Sequence, residues 1–135
     1  MADKLIDIEG IGETYAAKLA EAGLTNTDHL LEAAGSASGR AKLATSTGYS
    51  EKQILEWVNR ADLMRINGVG SEFSDLLEAS GVDTVKELGT RVPANLQAKM
   101  DEVNTAKKLT RRTPSLAEVE KWIAEAKTLK AMVSH

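Results

Sequence analysis

The stretches IEGIG (residues 8–12) and INGVG (66–70) are one pattern written twice, 58 residues apart. Sliding the chain by that offset lays LIDIEGIGETYAAKLAEAGLTNTDHL (5–30) over LMRINGVGSEFSDLLEASGVDTVKEL (63–88). Ile8 pairs with Ile66, Gly10 with Gly68, Gly12 with Gly70, Tyr15 with Phe73 and Leu19 with Leu77. Gly23 then pairs with Gly81, Leu24 with Val82 and Leu30 with Leu88. At an offset of 65, YSEKQILEWVNRA (49–61) lies over PSLAEVEKWIAEA (114–126), with Trp57 over Trp122. Glycines, aromatics and aliphatics recurring in order mark a tandem duplication. The repeats are residues 1–62 and 63–135, and the second has about seven extra residues between roughly 89 and 113.

Each copy reads as a string of short helices. Tyr15, Ala16, Leu19 and Ala22 recur at helical spacing, as do Phe73, Leu76 and Leu77, and Gly23 and Gly81 are natural C-terminal stops. Thr25/Asn26 and Asp83/Thr84 are N-cap candidates for a second helix. Further helices are predicted over roughly 37–46 and 94–106. The last helix of each copy starts with a capping-box pattern, Ser50 with Gln53 and Ser115 with Glu118. Its apolar stripes are Ile54, Trp57, Val58, Ala61 and Val119, Trp122, Ile123, Ala126. No stretch alternates with period two, so no sheet is expected. The fold class is all-α, with two duplicated units of short helices packed as one compact helical domain.

Three roles are open to a Gly-x-Gly. The dinucleotide fingerprint needs a preceding strand and a third glycine where helix and sheet approach closely. Here Tyr15 and Phe73 stand at that place, which excludes it. The second role is a tight hairpin between two helices. Ile8, Gly10, Ile11, Gly12, Ala16, Leu19, Gly23 and Leu24, with Ile66, Gly68, Val69, Gly70, Leu77, Gly81 and Val82, resemble the helix-hairpin-helix motif of DNA repair and recombination proteins. The resemblance covers residues 5–31 and 63–89 and implies a helical, SAM-like architecture. It also implies paired motifs that contact DNA phosphates without reading sequence. The glycines leave room for hairpin N–H groups to approach a phosphate. The whole chain is also similar to an uncharacterised bacterial family of helix-hairpin-helix proteins with no established activity. The third role is a packing turn that binds nothing.

The sequence departs from the motif where DNA-binding members place a basic pair. After the second glycine stand Glu13–Thr14 and Ser71–Glu72, and Glu9 precedes the first hairpin. A carboxylate there repels a phosphate, so the second hairpin, with Asn67 and Ser71, has the more tolerant surroundings. Charge points the same way. The net charge is −3. Lys and Arg number 6 against 10 Asp and Glu in residues 1–62, and 11 against 10 in residues 63–135. The insertion contains KKLTRR (107–112). The alternative is a solvated loop ahead of Pro114.

The candidate nucleic-acid contacts are therefore Gly68, Val69, Gly70, Ser71, Gly10, Gly12, Lys18, Lys107, Lys108, Arg111 and Arg112. Trp57 and Trp122 would suit base stacking, but their place on apolar stripes predicts core packing, and the same holds for Tyr15 and Phe73. His29 and His135 lie far apart, the chain has no cysteine, and no HExxH, EF-hand or nucleophile-elbow pattern occurs. No catalytic residue, metal or cofactor is expected. The resemblance alone raises a monovalent cation held by hairpin carbonyls, as in some members. No apolar run is long enough to span a membrane. The opening MADKLIDIEG lacks secretory-signal features, so a cytoplasmic protein is expected. The expected function is a non-enzymatic module with weak, sequence-independent affinity for double-stranded DNA. The alternative is a protein–protein adaptor that keeps the same fold, suggested by the net acidity and the missing post-hairpin lysines. No residue pattern sets the oligomeric state.

Overall fold

Glycine turns alternating with short amphipathic segments leave this sequence little strand to build with. The computed structural model describes residues 3–135. Among them are a 3-10 turn, Leu5–Asp7, and eight α-helices. The first four are α1 (Glu13–Glu21), α2 (Thr27–Ala34), α3 (Ala37–Thr47) and α4 (Glu51–Leu63). The others are α5 (Ser71–Ala79), α6 (Val85–Leu88), α7 (Pro93–Lys107) and α8 (Leu116–Ala126). The β-structure among the described residues is one isolated bridge between Lys4 and Asn26. The chain is all-α. It divides into two compact units, the first running to Asp62 and taking in Ala131–His135, the second comprising Leu63–Lys130.

The two units repeat one internal design. In each, an isoleucine carbonyl accepts from the amide three residues on: Ile11 N to Ile8 O at 3.0 Å, and Val69 N to Ile66 O at 3.1 Å. In the type II form of such a turn the third residue is left-handed, which favours glycine. Gly10 and Gly68 take φ of +94° and +90°. The flanking aliphatics Ile8, Ile11, Ile66 and Val69 point into their cores and are buried. Gly12 and Gly70 differ from the first glycines. They are N-caps of α1 and α5 with φ of −94° and −101°, a backbone open to any residue. The conformational need for glycine thus lies in the first member of each pair.

The helix ends follow the sequence signals closely. Leu24 N donates to Leu19 O at 3.0 Å and Val82 N to Leu77 O at 2.9 Å, each across a left-handed glycine that stops the helix. Asn26 caps α2 by accepting from His29 N at 2.9 Å. Thr84 caps α6 by accepting from Glu87 N at 3.2 Å. Ser115 and Glu118 form a full capping box at the start of α8. The length difference between the two units is spread over several elements. Helix α6 has 4 residues where α2 has 8, while α7 has 15 where α3 has 11, and the segment between α7 and α8 is longer than that between α3 and α4.

Trp57 and Trp122 are core residues, 2% and 3% exposed. In the second unit Trp122 packs among Ile66, Val69, Leu77, Met100, Val119 and their neighbours. At roughly 25 cal/mol per Å² of apolar area buried, the two indoles are among the largest single contributions to their units. Each indole also underlies a glycine turn. A Cβ built on Gly68 stands 3.3 Å from Trp122 Nε1, and one on Gly10 stands 3.6 Å from Trp57 Nε1. Tyr15 and Phe73 are half-buried. They tilt against their tryptophans with centroids 5.2 Å apart in both units.

The C-terminal segment is part of the first unit. Ser134 N donates to Gly35 O at 2.9 Å. The buried Arg40 guanidinium donates to Ala34 O, Gly35 O and Ser134 O at 3.1, 2.8 and 2.5 Å. A Cβ on Gly35 would stand 2.2 Å from Met132 O, so only glycine admits the segment this closely.

Candidate nucleic-acid interface

The KKLTRR run is a built loop. Asn104, inside α7, organises it: its Oδ1 accepts from Thr110 N at 2.9 Å, and its Nδ2 donates to Thr110 O and Thr113 Oγ1 at 3.3 and 3.4 Å. Thr110 Oγ1 donates to Arg112 O at 2.5 Å, and Gln97 Nε2 donates to Pro114 O at 3.1 Å. Lys108 ends α7 in the left-handed region, φ +53°. Gly48, which ends α3, has φ +79°. A lysine thus holds a conformation that the corresponding helix end gives to glycine, at a cost of about 1–2 kcal/mol for an L-residue. Lys107 and Lys108 are exposed.

This loop turns back onto the start of α5. The Arg112 guanidinium lies over the Phe73 ring, 5.3 Å from its centroid. Its Nη1 and Nη2 donate to Glu118 Oε1 and Oε2 at 2.6 and 2.8 Å. Arg111 reaches Glu72 at 3.8 Å and is 93% exposed. Residues about forty apart in sequence are thereby collected around the first turn of α5: Gly70, Ser71, Glu72, Phe73, Arg111 and Arg112. Gly70 has no side chain to cap that turn, and nothing lies within 4 Å of the place its Cβ would take. The aligned N–H groups and the positive end of the helix dipole there favour an anion.

The electrostatics of the loop are settled by one pair. The Arg112 side-chain hydrogen bond and then the Ser115 amide hold the Glu118 carboxyl down at about 2, while Glu118 raises the guanidinium of Arg112 above its ordinary value. Both groups are charged at any neutral pH.

The second turn, expected to be the more tolerant of the two, has carboxylates close by. The Asn67 amide already donates to Glu125 Oε1 at 3.1 Å, so α8 brings a carboxylate to the turn that sequence proximity does not reveal. Glu72 lies in the first turn of α5 as well. Val69 is buried, so its side chain anchors the turn rather than facing a ligand.

The first unit builds the same turn with a different cover. Tyr49 packs edge-on against Tyr15 at 5.0 Å and against Trp57 at 5.7 Å, so the aromatic of the first turn is covered by another aromatic. Arg112 covers the aromatic in the second unit. Lys18 pairs with Glu21 at 3.9 Å, both largely exposed, and Glu13 begins α1. Gly10 and Gly12 therefore stand at a turn whose nearby charges include carboxylates on both sides.

Among the described residues, no group of three or more His, Asp or Glu is arranged to hold a metal ion. None of the described helices is long and apolar enough to cross a membrane.

Residues 9–129 match a family model described as a domain of unknown function (DUF4332), and the chain belongs to that family. No curated protein and no solved structure matches the chain.

Proposed function

For this DUF4332 member we propose a non-enzymatic binding module that takes the phosphate backbone of double-stranded DNA on its second unit, without reading base sequence. Both units are, in this reading, helix-hairpin-helix units. The observation that carries it is the return of the 107–112 loop to the first turn of α5, where Arg112 stacks on Phe73 and Arg111 stands beside Glu72. Amides of a helix start and a forked guanidinium complement one another at a phosphate: the first supply fixed dipoles, the second two parallel donors. Gly70 keeps the approach open and Lys107 and Lys108 extend the positive charge. The left-handed Lys108 supports a use for its charge, since glycine would fit that helix end with less strain. The first unit lacks the basic loop, and Tyr49 stands on its turn aromatic where the second unit has Arg112, so it serves as scaffold.

The test is fluorescence anisotropy on a short labelled duplex across a salt series, with an unrelated duplex as competitor. Binding at low salt that both duplexes share is expected. Each neutralised phosphate contributes about 0.9 to the log–log salt slope, so Arg111→Gln and Lys107→Gln should each flatten it by up to that amount. Absence of binding at low salt refutes the proposal.

A second reading, a protein–protein adaptor, is favoured by a groove of about 360 Å³ in the first unit, lined by Leu5, Ile6, Ala16, Ala20 and Leu24. Ile6 is 44% exposed there. A partner retained from nuclease-treated lysate and lost on Ile6→Asp would favour that reading. A partner that disappears with the nuclease would refute it.

A further inference from the structure

The two units start their last helix in the same way but with a different charge. Gln53 N donates to Ser50 Oγ at 3.1 Å, and Glu118 N donates to Ser115 Oγ at 3.2 Å. Either glutamine or glutamate serves at this position of a capping box. In the first unit the serine half of the cap forms with a neutral glutamine at this position, and the negative charge of Glu118 also answers to something else. That something is Arg112. Both carboxylate oxygens face both terminal nitrogens of its guanidinium, at 2.6 and 2.8 Å, while Oε1 also accepts from Ser115 N at 3.0 Å.

A carboxylate in this two-pronged position occupies the geometry that a phosphate takes on arginine. The pair is accessible, with side chains 60% and 33% exposed for Arg112 and Glu118. Phe73 supports the guanidinium from its ring face and leaves the in-plane fork as the route for an oxyanion.

We propose that Glu118 is a resident competitor for the phosphodiester at Arg112, so that DNA binding exchanges one oxyanion for another on the same fork. This rests on the DNA reading given above. The competitor keeps the site's affinity low and its occupancy reversible. It also keeps Arg112 in its stacked pose when no phosphate is present. In the first unit Gln53 carries no charge and Tyr49 packs on Tyr15, so the device is assigned to the second unit.

The test is a double-mutant cycle on the full chain, read by anisotropy with the same duplex at low salt. Glu118→Gln keeps the serine half of the cap and an oxygen acceptor for the Ser115 amide, and should tighten binding about two- to fivefold, the range set by the worth of an exposed ion pair. Arg112→Gln should weaken binding. In the double variant the gain should vanish, because the competitor has nothing left to block. Glu120→Gln removes the same charge about 200° around α8 and should leave affinity nearly unchanged. Thermal melts of each variant check the fold. If Glu118→Gln unfolds, Arg112→Lys gives the second readout, since a lysine keeps the charge but not the fork. It should bind more weakly than the parent, and equal binding overturns the proposal. A gain that persists without Arg112 overturns it as a mere effect of net charge. A wild-type chain that binds, with no tightening in Glu118→Gln, overturns the competitor alone. A chain that binds in neither form overturns the DNA reading and this inference together.

Discussion

Gly68 and Gly70 lie two residues apart and should respond unequally to one added methyl group. Gly68 has φ +90°, and a Cβ there would stand 3.3 Å from Trp122 Nε1, closer than nine in ten such contacts. An L-residue in the left-handed region costs about 1–2 kcal/mol. Alanine recovers about 0.4–1 kcal/mol by restricting the unfolded chain, and the tight approach to a buried indole removes much of that gain. Gly68→Ala should therefore destabilise by about 1–2 kcal/mol. Gly70 has φ −101° and open space at its Cβ position. There the unfolded-state gain offsets the small loss of alanine at an N-cap, and Gly70→Ala should stay within about 0.5 kcal/mol of the parent. Differential scanning calorimetry reads the contrast at roughly 3–5 °C per kcal/mol for a chain of this size. Gly10→Ala should follow Gly68→Ala with a smaller loss, because its Cβ has 3.6 Å to Trp57. Gly70→Ala has a second readout: its methyl group stands over the α5 amides and should weaken duplex binding while leaving the melt unchanged. A Gly68→Ala protein that melts with the parent, or a reversed order of the two, refutes the view that a left-handed turn over Trp122 requires the glycine.

Lys108→Gly should raise stability by up to about 1 kcal/mol, seen as a higher Tm, because glycine takes the left-handed end of α7 freely. It should at the same time reduce DNA affinity by removing a charge. Glu118 has a folded pKa of about 2 against a reference of 4.5, so its contribution is fully present above about 4.5 and is lost as pH falls toward 2. The melting temperature of Glu118→Gln should accordingly fall less steeply than that of the parent across that window. Gly35→Ala should cost about 1–3 kcal/mol, since Met132 O must retreat from 2.2 Å. Limited proteolysis should then cleave within 131–135 at a lower protease dose than in the parent.

The helices and their ends were legible in the sequence because their causes are local. Asn26, Thr84 and Ser115 cap through bonds that span three residues, and Gly23 and Gly81 stop helices through their own backbone freedom. The repeat made the cores legible too, since Trp57 and Trp122 lie at matched positions on apolar stripes. The surroundings of the turn were not legible, because they come from distant elements. Nothing near Asn67 announces Glu125, which is 58 residues away. The capping-box pattern identified Ser115 and Glu118, yet gave no sign that Glu118 also holds Arg112. Asn104 resembles any polar helix residue, and its part in shaping the basic loop depends on where the chain goes after Lys108. Tyr49 sits just ahead of a cap position, and its seat against Tyr15 and Trp57 follows only from folding. The two glycines of each pair looked alike in sequence and proved different, because only φ distinguishes a left-handed turn from an extended N-cap.

The bond from Arg40 to Ser134 spans 94 residues and makes the two units unequal. By connectivity, the second unit is an insertion inside the first, because the chain leaves the first unit at Asp62 and rejoins it at Ala131. A cut at the repeat boundary would therefore treat the two halves unequally. A fragment ending at Asp62 keeps the buried Arg40 guanidinium but loses one of its three carbonyl acceptors, whereas residues 63–130 retain every element of their own unit. Of the two units only the second is one continuous stretch of chain, Leu63–Lys130. The first is a frame that closes only once its last few residues return.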